Sequence, residues 1–234
     1  MTSPAIEVHD LSVHYGSVHA LDGVDLSLEH GRVNGLIGTN GSGKSTLFNT
    51  LMGEIHPTGG TVRVADRADH LVSYVPQAEA VDWNFPLTVG EVVMTGRYGH
   101  TGFLRRPRAA DREAVADALA RTDLTDLADR QIGQLSGGQK KRTFVARGLA
   151  QQARTVLLDE PFAGVDTTSQ AMITALLHDM ADAGACILIS THDLGSVDAL
   201  CDTVTMLNGR VVASGPPAEV MTTENLMTTF GMVA

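Results

Sequence analysis

The sequence has little cysteine, few aromatic residues and no long apolar run. Its two cysteines, Cys186 and Cys201, lie in or near apolar segments without the paired spacing of a redox or zinc motif. This favours buried free thiols in a reducing compartment, without a catalytic role. No apolar run approaches the roughly 20 residues that cross a bilayer. The start, MTSPAIEVHD, lacks the basic and apolar segments of a secretory signal, so we expect a cytoplasmic protein.

Basic residues are also scarce. The 234 residues include 17 Lys and Arg against 27 Asp and Glu, which gives a formal net charge of -10. Contacts with nucleic-acid phosphates need a clustered basic surface, so this balance argues against a nucleic-acid partner. The hydrophobic content of 43% is enough for one large or two small cores of an ordinary globular protein.

The most informative stretch is GTNGSGKST, residues 38–46. It fits the pattern of a phosphate-binding loop, and it follows the apolar, strand-like run 33–37. Glycines at 38, 41 and 43 permit the positive φ that turns N–H groups toward phosphate oxygens, and a helix starting near Lys44 adds its dipole. The alternative, a strand-to-helix connection without a ligand, is less favoured because the pattern is intact. The predicted nucleotide-binding residues here are Gly38, Thr39, Asn40, Gly41, Ser42, Gly43, Lys44, Ser45 and Thr46.

Short, often alternating apolar runs before residue 80 predict strands. These runs are 6–8, 11–15, 24–28, 33–37, 61–64 and 71–75. We expect some of them to form a small antiparallel layer beside the phosphate loop. Tyr15 lies before that loop and is placed to stack on an adenine ring, with packing in the core as the alternative.

The pattern becomes helical between residues 86 and 154. Runs 89–95 and 111–121 show apolar residues every three or four positions, with Thr88 and Asp111 as candidate caps. This indicates a separate helical lobe. Five arginines form a local basic patch within it: Arg97, Arg105, Arg106, Arg108 and Arg112. The patch is either a solvated loop or a contact for membrane headgroups or an acidic partner.

Two adjacent carboxylates lie within the apolar run TVLLDEPF, residues 155–162. Such a strand brings Asp159 and Glu160 to the C-terminal edge of a parallel sheet, where ligands bind in open α/β folds. Asp159 can hold Mg²⁺ through water, and Glu160 can polarise the attacking water as a general base. The strand-like run 187–190 delivers His192 to the same edge, where its imidazole could hydrogen-bond a γ-phosphate.

Taken in order, the motifs resemble those of the ATP-binding subunit of ABC transporters over nearly the whole chain. They are GTNGSGKST, Gln77 in YVPQ, LSGGQ at 135–139, LLDEPF, Asp166 in AGVD and His192 in STHD. LSGGQ is the most specific of them. Segments 81–99 and 159–166 are similar to the branch that serves manganese, zinc and iron importers. Thr39 stands where many relatives have proline, which loosens the loop slightly without removing a phosphate contact.

The resemblance implies an α/β fold, namely a P-loop NTPase (ABC ATPase) core with an antiparallel β-subdomain and a helical signature subdomain. Residues 1–234 would form a single ABC ATPase domain. Its parts would be 1–85 and 155–215 as the nucleotide-binding core with the β-subdomain, 86–154 as the helical subdomain, and 216–234 as a C-terminal helix. Apolar residues in the last segment favour an amphipathic helix packed on the body: Met221, Leu226, Met227 and Phe230.

The resemblance also implies the composition of the site. In the family, the helix that LSGGQ begins grips the γ-phosphate bound to the loop of a second, facing subunit. A homodimer would therefore sandwich two ATP molecules. Further nucleotide-binding residues would be Tyr15, Ser136, Gly137, Gly138, Gln139 and Asp166. The catalytic residues would be Glu160, His192, Gln77 and Lys44, and the Mg²⁺ ligands would be Ser45, Gln77 and Asp159.

The implied function is ATP hydrolysis that powers uptake of a divalent metal ion through an integral-membrane permease, with the chain on the cytoplasmic face of the membrane. Manganese is the first candidate, zinc and iron are alternatives, and an iron chelate is another. Gln77 would sense phosphate, and 80–85 would pass the lobe rotation to the permease. An extracellular metal-binding lipoprotein or periplasmic protein would be an indirect partner. His9, His14 and His19 recur every five residues, a spacing that suits no regular ligand set, so we expect no metal site there.

Two other functions remain open. A soluble cassette protein could use the same ATP-driven clamp on DNA, ribosomes or protein complexes. Relatives of that kind carry long coiled-coil insertions or two joined cassettes, and neither occurs in these 234 residues. A small-molecule kinase would share the phosphate loop but gives no reason for LSGGQ.

Overall fold

The structure is a computed structural model that describes residues 3–67, 71–77, 82–83, 85–100 and 106–231. The strands are β1 (Ile6–Tyr15), β2 (Val18–Leu28), β3 (Arg32–Ile37), β4 (Gly59–Val64), β5 (Val72–Val75), β6 (Thr155–Asp159), β7 (Cys186–Thr191), β8 (Thr203–Leu207) and β9 (Val211–Gly215). The helices are α1 (Lys44–Met52), α2 (Val89–Thr95), α3 (Ala109–Arg121), α4 (Gly137–Gln151), α5 (Thr167–Asp182), α6 (Val197–Leu200), α7 (Pro217–Val220) and α8 (Thr223–Phe230).

A six-stranded central sheet has the order β5-β6-β7-β3-β8-β9. All neighbouring pairs are parallel except β8 and β9, which are antiparallel. Every residue of β6 and β7 is buried, as expected for parallel strands covered on both faces. The ends of β3, β6 and β7 therefore meet at one edge, where the phosphate loop also begins.

A second sheet of three antiparallel strands has the order β2-β1-β4 and confirms the predicted antiparallel layer. Along β1, Ile6, Val8, Leu11 and Val13 are buried and alternate with more exposed residues, so one face turns to the core. That face packs with α1 and with apolar residues of the central sheet. Helices α4 and α5 contribute to a second apolar core with the central sheet.

The segment between β5 and β6 is helical, as predicted, and α2, α3 and α4 share an apolar cluster. Thr88 caps α2, since its hydroxyl accepts from the Glu91 N–H and the Glu91 carboxylate accepts from the Thr88 N–H. Asp111 is not the N-cap residue of α3, because the helix begins two residues earlier, at Ala109. From the first turn, the Asp111 carboxylate still caps the helix start by accepting a hydrogen bond from the N–H of Arg108.

The predicted basic patch does not form as a single surface. Arg97 is buried, and its Nε lies 3.0 Å from Oδ1 of Asp111, which is also buried. Its guanidinium also donates to the carbonyl oxygen of Ala150, 2.9 Å away. Arg97 thus ties α2, α3 and α4 together. Arg105 lies outside the described residues, and the remaining arginines of the patch are exposed: Arg106, Arg108 and Arg112.

Both cysteines are free and buried, as predicted. Burial raises the pKa of each thiol, Cys186 and Cys201, to about 12. The predicted C-terminal helix is divided into α7 and α8, whose side chains Met221, Leu226 and Phe230 pack against the apolar core. Residues 232–234 of that prediction, and residues 80, 81 and 84 of the predicted permease contact 80–85, lie outside the described residues. Among the helices described, none is both long and apolar enough to cross a membrane.

Candidate nucleotide-binding site

The loop between β3 and α1 has the backbone of a phosphate cradle. Gly41 and Gly43 have φ of 83° and 99°, which glycine adopts without strain. The prediction of a positive φ at Gly38 is wrong. It must be glycine for space, since a Cβ there would lie 2.4 Å from the carbonyl oxygen of Leu207. The loop is therefore shaped by two left-handed turns and one close backbone contact.

A cavity of about 300 Å³ opens above this loop. Its lining residues are Ala20, Asn40, Gly41, Gly43, Lys44, Ser45, Thr46, Gln77 and Glu160. All except Ala20 were predicted as site residues. Ala20 belongs to β2, and as a small apolar residue it carries no polar group or glycine pattern that could have pointed to the site. Gln77 follows β5, so the cavity is built from the antiparallel layer, the loop and the central sheet together.

Lys44 is buried at the start of α1 and folds back onto the loop. Its Nζ donates to the carbonyl oxygens of Gly38 and Thr39, each 2.8 Å away. Burial lowers the pKa of Lys44, while the charges of Glu160 and Asp159 oppose that change. Thr39, the departure from the family pattern, thus contributes its backbone carbonyl. The ammonium is held where it can meet phosphate oxygens.

Ser45 and Asp159 meet beside the cavity. The Ser45 hydroxyl donates to Oδ2 of Asp159 across 3.3 Å, and the hydroxyl of Ser190 donates to Oδ1 of the same carboxylate. A hydroxyl and a carboxylate are hard oxygen ligands of the kind that Mg²⁺ takes together with water and substrate phosphates. The donor set therefore fits the predicted magnesium ion.

Glu160 has an unusual backbone for a non-glycine residue, with φ of 48°. Two contacts hold it there: its N–H donates to the Ser190 hydroxyl across 2.9 Å, and Nζ of Lys141 donates to its carbonyl oxygen across 3.2 Å. Residues held in sparsely populated backbone regions cluster at functional sites, because the surrounding structure must enforce them. This backbone turn brings the Glu160 side chain to the cavity.

Oε1 of Glu160 lies 3.2 Å from Nδ1 of His192, and the side chains are 14% and 62% exposed, respectively. The imidazole is thus the more exposed member of the pair. Ser190, which bonds to both Asp159 and Glu160, was missed by the sequence reasoning. Asp159 and Ser190 are paired residues of the parallel strands β6 and β7, and this pairing can be known only from the register of the sheet.

Tyr15 is 49% exposed at the end of β1, so the alternative of packing in the core does not hold. A stacking role for Tyr15 stays a prediction.

Ser42 is buried, and its Oγ has no hydrogen-bond partner among the residues described. Among the described residues, the cavity lining includes its neighbours Gly41 and Gly43 but not Ser42, which was predicted as a nucleotide-binding residue.

The predicted signature residues form a separate cluster. Ser136 caps α4 by a reciprocal pair of hydrogen bonds with Gln139, and Gly138 packs so closely that a Cβ there would lie 2.8 Å from Oδ2 of Asp166. Asp166 caps α5 by accepting from the Ser169 N–H, which holds the pKa of Asp166 below its ordinary value. Within the described part of the chain, the cavity lining includes neither residues 136–139 nor Asp166.

A phosphate loop at the edge of a parallel sheet, with Asp159 and Glu160 at the end of another strand of the same sheet, defines a P-loop nucleoside triphosphatase. The family described as ABC transporter matches residues 21–163. The chain belongs to this family, and it is an ATP-binding ATPase subunit of the ABC type.

Three relatives are similar over most of this chain. The manganese transport system ATP-binding protein MntA of Synechocystis is 50% identical, covering 82% of this chain and 76% of the relative. The chelated iron transport system membrane protein YfeB of Yersinia pestis is 47% identical, covering 98% and 80%. The zinc transport system ATP-binding protein TroB of Treponema pallidum is 39% identical, covering 98% and 88%.

A solved structure supports the fold assignment. The ADP conformation of MJ1267, an ATP-binding cassette of an ABC transporter, has a TM-score of 0.85 at 26% identity, covering 99% of this chain and 100% of that chain. The predicted fold class, an ABC ATPase core with an antiparallel layer and a helical signature segment, is confirmed.

Proposed function

We propose that this chain is the ATP-hydrolysing subunit of an importer that takes up a divalent metal ion, with manganese as the first candidate and zinc or iron as alternatives. It would act on the cytoplasmic face of the membrane, bound to a permease. Relatives named for manganese, iron and zinc transport, at 39–50% identity, support the cargo class. A separate metal-binding protein outside the membrane would select the ion.

The contacts at the cavity support a division of labour in hydrolysis. The N–H groups of the loop and the Lys44 ammonium bind the phosphates of ATP. Ser45 and Asp159, with Gln77 nearby in the lining, would hold Mg²⁺, which neutralises charge on the β- and γ-phosphates when bound. Glu160 accepts a proton from the attacking water, and His192 orients that carboxylate and the water.

The single observation that most favours a paired ATPase is the separation of the signature residues from the phosphate cavity of the same chain. Ser136 and Gly137 lie at the N-terminal end of α4, an arrangement suited to a phosphate oxygen. A second copy would bring that helix end to the γ-phosphate. Because hydrolysis removes the bridge between the copies, the clamp would open and drive the permease.

Uptake by cells tests the function directly. Cells lacking this chain would be supplied with the unaltered gene, with Glu160→Gln, or with Glu113→Gln, an exposed control on α3. Uptake of manganese, zinc, ferrous iron and an iron chelate would then be compared. We expect restored manganese uptake with the unaltered chain and the control but not with Glu160→Gln. Normal uptake of all four in cells lacking the chain would contradict the proposal.

Fractionation separates this function from a soluble ATP-driven clamp. The chain would be expressed with and without its neighbouring permease, and the membrane fraction would be collected. We expect the chain in that fraction only when the permease is present. A chain that stays soluble in both cases would support the clamp.

A further inference from the structure

The imidazole rings of His14 and His19 stack across the β1–β2 hairpin. The two residues are cross-strand partners, and their ring centroids lie 3.9 Å apart with an interplanar angle of 25°. Asp22 lies beside them. One ring nitrogen of each histidine and one carboxylate oxygen of Asp22 all lie within 4.8 Å of one another.

Irregular strand pairing creates this cluster. The register between β1 and β2 shifts between Leu11 and Val13 and again between Val13 and His14. A shift of this kind adds an unpaired residue to one strand and re-aims the side chains beside it. His19 and Asp22 are three positions apart and would face opposite sides of a regular strand. The shifts let both reach His14, which the five-residue spacing of the histidines does not reveal.

Polar atoms of the cluster are available to a ligand. Nε2 of His14 is buried and has no hydrogen-bond partner within the described residues. A buried polar atom of this kind often marks an ion or water that the site can hold. Asp22 bonds to Arg210, and both of those hydrogen bonds use Oδ2, so a cation would approach Oδ1.

We propose that His14, His19 and Asp22 bind a divalent first-row transition metal ion, and that its occupancy strengthens ATP binding at the neighbouring cavity. Two imidazoles and one carboxylate suit zinc, iron or manganese, with water completing the coordination. The lone pairs of the ring nitrogens lie in the ring planes, and the two stacked rings are nearly parallel, so the exposed His19 ring would turn out of the stack to reach the same ion as His14. Magnesium prefers an all-oxygen environment and should not compete. The site is distinct from the magnesium position at Ser45 and Asp159.

Direct contacts connect the cluster to the phosphate loop. The Asp22 N–H donates to the carbonyl oxygen of Gly209, and the Gly209 N–H donates to that of Ser42, each across 2.9 Å. Ala20, next to His19, lines the cavity, and its carbonyl lies against Gly43, where a Cβ would approach it to 2.6 Å. The metal would therefore fix the wall of the cavity.

The same hairpin carries Tyr15, the residue predicted to stack on adenine. Tyr15 and Val18 are exposed, at 49% and 61%, so the tip of the hairpin has little packing to order it. A metal bound at the adjacent histidines would order this tip before the nucleotide arrives, and ATP would then bind with a smaller entropic cost. A regulatory meaning, in which an ion of the cargo class promotes ATP binding, rests on the proposed function.

Calorimetry with zinc chloride on the nucleotide-free full chain tests the site. The variants are His19→Ala, whose side chain is exposed, and His56→Ala, an exposed control histidine away from the cluster. We expect one zinc ion per unaltered chain, affinity at least tenfold weaker in His19→Ala, and no change in His56→Ala. Equal affinity in all three proteins would overturn the site. Circular dichroism confirms that each variant is folded.

A fluorescent ATP analogue tests the coupling. Its dissociation constant would be measured in magnesium buffer with and without zinc. We expect zinc to tighten binding at least threefold in the unaltered chain and in His56→Ala, and not in His19→Ala. Zinc bound at the site without a change in nucleotide affinity would overturn the coupling. Both measurements use the isolated chain, so a failure of the transport proposal in cells would leave them unaffected.

Discussion

Nδ1 of His192 and Oε1 of Glu160 lie 3.2 Å apart, although the two side chains come from different strands of the central sheet. Glu160 follows β6 and His192 follows β7, and these strands are parallel neighbours. The sheet therefore sets the distance between a candidate general base and the imidazole beside it. The carboxylate of Glu160 can thus contact both the cavity and the imidazole.

Glu160→Gln should slow ATP hydrolysis by about two orders of magnitude or more, because the amide cannot accept the proton of the attacking water. ATP should still bind, so ATP-bound dimers should accumulate. Phosphate release measures the rate, and light scattering after gel filtration measures the dimer. The matched control is Glu113→Gln, which should hydrolyse ATP normally. Near-normal turnover in Glu160→Gln would exclude Glu160 as the base.

Ser190→Ala should impair both stability and catalysis. The Ser190 hydroxyl donates to Asp159 and accepts from the Glu160 N–H, so its loss leaves a partly buried N–H and the buried Asp159 carboxylate each without this partner. We expect a cost of about 1–3 kcal/mol in the free energy of unfolding, and a fall in kcat larger than the change in KM for ATP.

Ser73→Ala is the control for that variant. Ser73 is also buried, but its Oγ has no hydrogen-bond partner among the described residues. Its replacement should leave unfolding and hydrolysis nearly unchanged. Urea unfolding and steady-state kinetics on both variants make the comparison. Equal behaviour of the two serine variants would show that the Ser190 contacts are not needed.

Ser136→Asp should prevent dimer closure without loss of the helix cap. Asp accepts the same N–H bonds at the N-cap, so stability should change by less than about 1 kcal/mol, while its charge would repel the facing γ-phosphate. Ser136→Arg should also block closure but should lose the cap. Combined with Glu160→Gln, each variant would be tested by gel filtration with ATP. A dimer in either combination would contradict the sandwich arrangement.

The predicted parts of the site that the structure brings together share a local origin. The phosphate loop follows one strand directly, and Asp159 and Glu160 end another, so a short motif and a run of apolar residues suffice to place them. Thr88 was likewise identified as a cap, because a capping box is read within four residues.

Features that depend on pairing across the chain were missed. Ser190 meets Asp159 only through the parallel register of β6 and β7, and His14 meets Asp22 only through irregular pairing in the hairpin. Arg97 was assigned to a surface because its sequence neighbourhood is basic. Its burial depends on Asp111 and the Ala150 carbonyl, which the fold supplies from α3 and α4.

The pair Arg97 and Asp111 predicts an acid-sensitive contact within the helical segment. The Arg108 N–H, followed by the Arg97 guanidinium, holds the pKa of Asp111 below its ordinary value. The unfolded carboxyl binds its proton more tightly than the folded one. The resulting stabilisation is therefore complete above the ordinary pKa of about 4 and is lost as the pH falls below it.

Asp111→Asn removes this charge and leaves Arg97 buried without its carboxylate, so the free energy of unfolding should be lower at neutral pH. The difference from the unaltered protein should shrink as the pH falls below about 4, because the unfolded chain then binds a proton that the folded Asp111 carboxylate takes up only at lower pH. Urea unfolding above and below that pH measures it. Asp117→Asn, exposed on the same helix, should show no such trend. A difference for Asp111→Asn that stays constant with pH would mean that the carboxylate charge does not stabilise the segment.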